Sequence, residues 1–123
     1  MNKQEITILV VDDIKLNYVI LKGMLKSEST RILWARDHQE ALELCDNYPP
    51  DLVLMDFQLP GMNGLELSKK IKNKHEQLPI IFQTANARIV ESFNKDEYKY
   101  ETVLEKPIQK EQLVNTLKQY VAL

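Results

Sequence analysis

Acidic side chains follow two apolar runs of the sequence at the point where each run ends. One run leads directly into Asp12 and Asp13, a second leads into Asp56, and a third, later in the chain, leads into the base Lys106. If these runs are parallel strands, their carboxyl ends open onto one edge of the sheet, which is where ligands bind in open α/β folds. The sequence therefore predicts one pocket that holds three acids and a base.

The charge imbalance of this pocket indicates what it would bind. Three carboxylates would repel one another and resist ionising together unless cations compensate them. Lys106 supplies one positive charge, and a divalent cation would supply the rest. No histidine or cysteine lies at these positions, and oxygen ligands favour Mg²⁺, or alternatively Mn²⁺, over zinc. A carboxylate beside Mg²⁺ can act as a nucleophile toward phosphorus and form an aspartyl phosphate, and Asp56 fits that role best.

Hydrogen-bond donors are predicted at the same edge. Thr84 ends the fourth apolar run, so its hydroxyl would face the pocket and could donate to a phosphoryl oxygen, with the backbone N–H of Ala85 beside it. Taken singly, these residue types have plainer roles, since Asp often caps a helix, Thr forms turns and Lys is solvated. Their combination at successive strand ends is what favours a phosphoryl-accepting site.

The elements that would position these side chains alternate along the chain. The predicted strands are Ile6 to Val11, Arg31 to Ala35, Leu52 to Met55, Pro79 to Thr84 and Thr102 to Glu105. The predicted helices are Lys15 to Lys26, Asp37 to Asn47, Gly64 to Lys74, Ala87 to Asp96 and Lys110 to Val121. Such alternation predicts an α/β fold with a five-stranded parallel sheet, helices on both faces and the flavodoxin-like order 2-1-3-4-5. The first helix gains one apolar face from residues at helical spacing, namely Leu16, Val19, Ile20 and Met24.

Length and composition favour one domain over residues 1–123. The chain has 123 residues, 44% of them apolar, which suffices for a core without metals or disulfides. The 16 basic and 18 acidic residues form no long basic cluster, which argues against direct binding of nucleic acid. Cys45 is the one cysteine, and neither a leader nor an apolar run of about 18 residues is present. We therefore expect a cytoplasmic location and no membrane contact.

The motifs together resemble a known family. Asp12-Asp13, the segment from Asp56 to Gly64, Thr84-Ala85 and Lys106-Pro107 are similar to the receiver domain of two-component response regulators. The resemblance covers essentially the whole chain, in order and with family-like spacing. It implies a phosphoacceptor signalling domain rather than an enzyme, one that assists its own phosphorylation and dephosphorylation.

The resemblance also implies ligands and partners. Asp56 would accept a phosphoryl group from a phosphohistidine of a histidine kinase or a histidine phosphotransfer protein. Asp13, Asp56 and the backbone carbonyl of Gln58 would bind Mg²⁺, and Asp12 would hold the metal mainly through water. A phosphorylation-dependent homodimer is a further implied partner state.

A second set of implied roles concerns the response to phosphorylation. Thr84, Ala85 and Lys106 would contact the phosphoryl group and relay its presence to the face formed by the fourth helix, the fifth strand and the fifth helix. The peptide bond before Pro107 is often cis in this family. This chain has Val103 where the family commonly has an inward-swinging aromatic residue, so an aromatic switch is not expected.

Two residues resemble one subtype of the family. Asn17, four residues after Asp13, and Ile108, after Lys106 and Pro107, are similar to receivers of hybrid sensor histidine kinases, which pass phosphate onward to a phosphotransfer protein. In that case the kinase activity would lie outside this segment. The chain ends directly after the fifth predicted helix, so we expect either a free-standing receiver or an excised piece without an output domain.

Other functions fit the sequence less well. A phosphorylation-independent, receiver-like binding module is the main alternative, because Val103 departs from the family pattern. A haloacid dehalogenase-like phosphatase needs a second Asp two residues after its nucleophile, and that position is Gln58. A nucleotide-binding enzyme is disfavoured because no Gly-Lys-Ser/Thr motif or glycine triplet follows a strand. The polar stretch from Arg88 to Glu101 lacks the family's Gly-Ala turn, so a short fourth helix is expected.

Overall fold

The structure, a computed structural model, describes residues 5–59, 61–93 and 95–123. Strands and helices alternate along this part of the chain. The strands are β1 (Ile6–Val11), β2 (Thr30–Ala35), β3 (Leu52–Asp56), β4 (Ile80–Thr84) and β5 (Thr102–Glu105). The helices are α1 (Lys15–Met24), α2 (His38–Asn47), α3 (Gly64–Lys74), α4 (Ala87–Glu91), α5 (Lys95–Tyr98) and α6 (Lys110–Leu117).

The strands form one parallel sheet in the order β2-β1-β3-β4-β5, which confirms the predicted flavodoxin-like order. Every residue of β3 and β4 is buried, which explains why their sequences are almost continuously apolar. In the register of the sheet, Asp56 pairs with Gln83 and Thr84 pairs with Glu105. The carboxyl ends of the three strands are therefore level, and the polar residues that end them lie side by side.

Two apolar clusters cover the two faces of the sheet. One cluster joins the sheet to α2 and α3, and its larger members include Leu9, Val53, Phe82, Leu67 and Ile71. The other joins the sheet to α1 and α6, and its members include Ile8, Leu54, Leu21, Leu113 and Leu117. Burial of each such side chain stabilises the fold by about 1.5–3 kcal/mol. Among the described residues, no helix is long and apolar enough to cross a membrane.

The single cysteine belongs to the first cluster. Cys45 is 1% exposed and forms no disulfide. Burial raises the pKa of its thiol to about 11, so the thiol stays protonated at neutral pH. Cys45 is a small apolar packing residue here, without the character of a nucleophile.

The apolar face expected for the first helix does not pack against the sheet. Leu16 is 64% exposed, Val19 48% and Ile20 46%, whereas Leu21 is 2% exposed. Of the predicted set, only Met24 packs against the core, where it is partly buried. The helix carries apolar residues on more than one side, so helical spacing alone could not identify the side that faces the sheet. Leu16, Val19 and Ile20 form an exposed apolar stripe, hereafter the α1 stripe.

Helix ends differ from the predicted bounds where local polar groups intervene. The predicted helix from Ala87 to Asp96 is divided into α4 and α5, and residue 94 lies outside the described residues. Ser92 Oγ donates to the Ile89 carbonyl at 2.6 Å, just after α4 ends. Lys99 has a φ of 54°, the left-handed conformation that often follows a helix. The expected short fourth helix is thus observed, with five residues.

A partly buried ion pair fixes α3 to the sheet near β5. Lys72 Nζ lies 3.0 Å from both carboxylate oxygens of Glu101, and the lysine side chain is 6% exposed. Glu101 Oε1 also accepts a hydrogen bond from the Ile80 backbone N–H at 2.6 Å. Ser68 Oγ donates to the Tyr98 carbonyl at 3.1 Å. These bonds hold the segment before β5 against α3, even though α4 and α5 are short.

Gly64→Ala should destabilise the protein, because its position at the beginning of α3 has no room for a methyl group. A Cβ there would lie 2.8 Å from a Phe82 ring carbon and 3.1 Å from the Phe57 carbonyl oxygen. We expect a loss of about 1–3 kcal/mol in the free energy of unfolding, measured by urea denaturation. Gly23→Ala is the matched control, since nothing lies within 4 Å of a Cβ in α1, and it should gain roughly 0.5–1 kcal/mol. Equal stability of Gly64→Ala and the native protein would contradict this packing.

Candidate functional site

The carboxyl edge of the sheet carries an open cleft of about 390 Å³. Its lining includes all but one of the residues that the sequence predicted for the site, namely Asp13, Asp56, Gln58, Thr84, Ala85 and Lys106. The exception is Asp12, which is fully buried. The strand ends therefore bring the predicted residues together.

Asp56 is held in place by two contacts. Its Oδ1 accepts a hydrogen bond from the Gln58 backbone N–H at 3.0 Å, and its Oδ2 lies 3.2 Å from Lys106 Nζ. Asp56 is 7% exposed as the last residue of the buried strand β3, yet it lines the cleft. The carboxylate is thus fixed in orientation, with access to a small ligand from the cleft.

Two further carboxylates converge beside Asp56. Oxygens of Asp12, Asp13 and Asp56 lie within 4.8 Å of one another. Asp12 Oδ1 accepts hydrogen bonds from the Ile14 backbone N–H at 2.9 Å and from the Asn17 amide at 3.3 Å. Asp12 Oδ2, in contrast, is a buried oxygen without a hydrogen-bond partner.

These oxygens fit a hard divalent cation. An unpartnered carboxylate oxygen in a buried position is costly unless a cation or water satisfies it. The donor set consists of carboxylates, with Gln58 also lining the cleft, and this chemistry suits Mg²⁺ or Mn²⁺. Lys106 Nζ lies 3.2 Å from Asp56, and one ammonium does not balance three carboxylates.

The surroundings of Asp12 disfavour its ionisation. Desolvation by burial is the main cause that raises the pKa of Asp12, and the charge of Asp56 raises it further. The hydrogen bond from Ile14, the Asn17 amide and the charge of Lys106 act in the opposite direction. The net pKa is above the ordinary value of an aspartate, as expected for an acid cluster with too few cations.

Thr84 lies at the end of β4 as predicted, but its hydroxyl already has a local partner. Thr84 Oγ1 accepts from the Asn86 backbone N–H at 3.2 Å and lies 3.4 Å from the Asn86 carbonyl oxygen. The plainer role of a turn former is therefore present. Ala85 is exposed and lines the cleft. Asn86 Oδ1 accepts from the Arg88 backbone N–H at 3.1 Å, so this turn leads directly into α4.

Lys106 is anchored through its backbone. Its N–H donates to the Thr84 carbonyl at 2.7 Å, and the peptide bond to Pro107 is cis, as the resemblance implied. Its side chain is 31% exposed and reaches from β5 across to Asp56 on β3. The ammonium is therefore positioned at the mouth of the cleft.

Two contacts at the site were not predicted from the sequence. Trp34 Nε1 donates to the Asp12 carbonyl oxygen at 2.8 Å, and Glu105 Oε1 accepts from the Ala87 backbone N–H at 3.0 Å. Neither residue belongs to a recognisable motif. The predicted strand order was the available signal for Trp34, because β2 lies beside β1 and their ends are adjacent.

Comparisons with known proteins agree with the fold. A family model described as the response regulator receiver domain matches residues 8–118. The polar-differentiation response regulator DivK of Brucella ovis is 31% identical over 117 residues, which cover 94% of this chain and 95% of that protein. A putative response regulator from Chloroflexus aurantiacus is 28% identical with a TM-score of 0.88, and the match covers 98% of this chain and 100% of that one. Chemotaxis protein CheY4 of Vibrio cholerae is 22% identical with a TM-score of 0.88, and the match covers 96% of this chain and 100% of that one. At this identity the likeness is one of fold.

Asp12→Asn should stabilise the metal-free protein at neutral pH. Because burial raises the pKa of Asp12 in the folded chain, ionised Asp12 lowers stability. Below the pKa of Asp12 in the unfolded chain, Asp12 is protonated in both states and its stabilising contribution is complete. As the pH rises through the pKa of Asp12 in the folded chain, the buried side chain ionises and that contribution is lost. The amide keeps the acceptor for Ile14 and replaces the unpartnered oxygen with a donor. Thermal unfolding in EDTA should show a higher Tm for the variant at pH 7, and the difference should shrink as the pH falls.

Mg²⁺ provides the second arm of this test. The free energy of unfolding of the native protein should rise by about 2.7 kcal/mol at a free Mg²⁺ concentration one hundred times the dissociation constant, and that of Asp12→Asn should rise much less. Glu76→Gln, which changes an exposed acid in a turn, should behave as the native protein in both buffers. A lower Tm for Asp12→Asn than for the native protein in EDTA at pH 7 would contradict the account of the acid cluster.

Proposed function

Because the chain belongs to the response regulator receiver domain family, which serves two-component phosphorelay signalling, we propose that Asp56 is its phosphoryl acceptor. The donor is a phosphohistidine of a histidine kinase or a histidine phosphotransfer protein. One observation carries the proposal: the Asp56 carboxylate lies at the cleft, 3.2 Å from Lys106 Nζ, with two further acids within 4.8 Å.

The transfer needs an oriented carboxylate and a site that tolerates negative charge. A carboxylate oxygen of Asp56 forms the new bond to phosphorus, while the P–N bond of the phosphohistidine breaks and its electron pair leaves with the imidazole, which takes up a proton. Lys106 Nζ, already 3.2 Å from Asp56 Oδ2, neutralises charge on the transferring oxygens. The Gln58 N–H fixes the other carboxylate oxygen.

Mg²⁺, or Mn²⁺ in its place, is the proposed cofactor. Asp13, Asp56 and the Gln58 backbone carbonyl would hold it, with Asp12 acting mainly through water. The unpartnered Oδ2 of Asp12 supports this assignment, because a cation or its bound water would satisfy it. Such a cation supplies positive charge that stabilises the phosphoryl oxygens during transfer.

The signal leaves the site through the turn after β4. Phosphorylation replaces the single negative charge of the Asp56 carboxylate with a phosphoryl group that carries a charge of about −1.5 to −2 and three acceptor oxygens. The Thr84 hydroxyl and the Ala85 N–H are the proposed donors to those oxygens, and Thr84 would then release the Asn86 carbonyl. Asn86 caps α4, and Glu105 accepts a hydrogen bond from the Ala87 N–H at the beginning of the same helix. Loss of the contact between Thr84 and the Asn86 carbonyl would therefore shift the face formed by α4, β5 and α6. The route does not require an aromatic residue at position 103.

The α1 stripe is the proposed docking surface for the phosphodonor. It is an exposed apolar patch on a helix that follows the acid pair directly, and the helix carries lysines but no acidic residue. Ile14, which lines the cleft, is 53% exposed and extends the apolar surface to the phosphoacceptor. An apolar helical surface with acidic residues at its edge would match this arrangement.

The remaining features of the proposal rest on the composition of the sequence and on its resemblance to the receiver family. We propose one receiver domain over residues 1–123, a cytoplasmic location, no direct contact with nucleic acid or membrane, and a homodimer that depends on phosphorylation. The domain assists its own phosphorylation and dephosphorylation without being an independent enzyme. Asn17 and Ile108 favour the receiver of a hybrid sensor histidine kinase.

Phosphoryl uptake tests the assignment of Asp56. Incubation of the protein with Mg²⁺ and acetyl phosphate should add one phosphoryl group by intact mass, because the P–O bond of the donor breaks and acetate leaves. Asp56→Asn should show no uptake while its circular dichroism spectrum stays native. Asp46→Asn is the matched control, since Asp46 is an exposed acid that pairs with Lys74 and His75 outside the cleft.

The outcomes separate the proposal from its main alternative. Uptake by Asp56→Asn at the native level would refute Asp56 as the acceptor. No uptake by the native protein, together with no binding of beryllofluoride, would favour a receiver-like module that acts without phosphorylation.

Ile20→Lys tests the docking surface. A charge in the α1 stripe should lower the rate of transfer from a phosphorylated histidine phosphotransfer protein by about tenfold or more, because a buried apolar anchor of an interface is lost. Uptake from acetyl phosphate should not change, since this donor needs no docking. Tyr48→Lys, which alters a residue that is 58% exposed beyond the end of α2, should leave both rates unchanged. An unchanged protein-to-protein transfer rate in Ile20→Lys would rule out this surface.

A further inference from the structure

Trp34 contacts the acid pair from the neighbouring strand. Its indole N–H donates to the carbonyl oxygen of Asp12 at 2.8 Å, while the Asp12 N–H donates to the Ala35 carbonyl at 3.0 Å. The Asp12 carbonyl belongs to the peptide group that links Asp12 to Asp13. The end of β2 therefore holds the backbone of the acid pair at two consecutive peptide groups.

The indole ring is itself held in place. Tyr18 of α1 stacks on Trp34 with a centroid distance of 5.3 Å and an angle of 9° between the ring planes. Lys22 Nζ lies 5.8 Å from the centroid of the Tyr18 ring, on the same helix. A large ring with a fixed plane aims its single N–H in a fixed direction. Trp34 is the only tryptophan of the chain.

We infer that Trp34 is a positioning residue for the cation site, which orients the Asp12–Asp13 peptide so that both carboxylates converge with Asp56. The inference rests on the metal site of the proposed function. Mutual repulsion of the acids favours rotation of this peptide and divergence of the side chains. The indole hydrogen bond opposes that rotation without contacting the cation. Mutation of residues that orient metal ligands in this way commonly weakens metal binding by about 10–100-fold.

Direct metal binding tests the inference without a phosphodonor. Trp34→Phe keeps an aromatic ring against Tyr18 and removes the N–H donor, so it should raise the dissociation constant for Mn²⁺ by about tenfold. Electron paramagnetic resonance of free Mn²⁺ measures this constant, and calorimetry measures that of Mg²⁺. Tyr18→Phe, which keeps the stacked ring, is the control and should bind as the native protein. Dissociation constants for Trp34→Phe within about twofold of the native values would overturn the inference.

A second variant tests the inference even if Trp34→Phe does not fold. Replacement of Trp34 by β-(3-benzothienyl)alanine keeps the shape of the ring system and exchanges the N–H for sulfur. The same weakening of Mn²⁺ binding is expected, with a Tm in EDTA close to that of the native protein. Native affinity in this variant would show that the ring, and not its hydrogen bond, matters, and would overturn the inference.

The dependence of phosphorylation on Mg²⁺ distinguishes positioning from a general structural role. In Trp34→Phe the Mg²⁺ concentration for half-maximal uptake from acetyl phosphate should rise about tenfold, whereas the maximal rate at saturating Mg²⁺ should stay close to native. A lower maximal rate with unchanged half-saturation would contradict the inference.

Fluorescence of the native protein supplies a spectroscopic signature that needs no variant. Trp34 emission should change on Mg²⁺ binding with the midpoint found by calorimetry, and Asp12→Asn should abolish the change at those concentrations. Emission that does not respond while calorimetry shows binding would overturn the inference. If the native protein bound neither cation, both the proposed metal site and this inference would be refuted. If it bound Mn²⁺ but took up no phosphate, only the proposed phosphoacceptor role would be refuted.

Discussion

The convergence of three carboxylates against one ammonium is the constraint on which the rest of the structure depends. At a separation of 4.8 Å, the largest within the group, and an effective dielectric constant of about 20, two such charges repel by about 3.5 kcal/mol. The whole stability of a small domain is only about 5–15 kcal/mol. The acids remain together because rigid, buried strands present them, and because Lys106 and a proposed cation offset their charge. This repulsion also makes the site sensitive to the change in local charge that a phosphoryl group would bring.

The sheet provides the rigidity that this constraint demands. Strands β3 and β4 are buried along their whole length, and their last residues, Asp56 and Thr84, project from the core into the cleft. The partly buried pair of Lys72 and Glu101 holds the segment before β5 against α3. The turn after β4 depends on local hydrogen bonds around Asn86. A rigidly held proposed acceptor beside a turn built from local hydrogen bonds suits a charge-driven switch.

The sheet order and most of the cleft could be predicted because both follow from simple periodic rules. Continuous apolar runs that alternate with amphipathic segments permit few parallel topologies, and the polar residues that end those runs must then share one edge. Asp56, Thr84 and Lys106 were located in this way. The cis bond at Pro107 came from the family resemblance, since no rule of spacing predicts it.

Other features depend on interactions that the sequence pattern does not record. Helical spacing identified an apolar face in α1 but not its direction, because Leu21 and its neighbours Val19 and Ile20 are all apolar and only the packed structure selects which is buried. The separation of α4 from α5 is not recorded in the apolar spacing, and the bond from Ser92 Oγ to the Ile89 carbonyl just after α4 is visible only in the structure. The contact from Trp34 to Asp12 joins residues 22 positions apart in the chain.

Identification of the modified atom tests the central claim most directly. Borohydride reduces an aspartyl phosphate to homoserine, so the native protein would be treated with acetyl phosphate and Mg²⁺, reduced, digested and sequenced by mass spectrometry. The account predicts homoserine at position 56 alone, dependent on both Mg²⁺ and the phosphodonor. Homoserine at position 12 or 13, or equal conversion of Asp56 in EDTA, would contradict it.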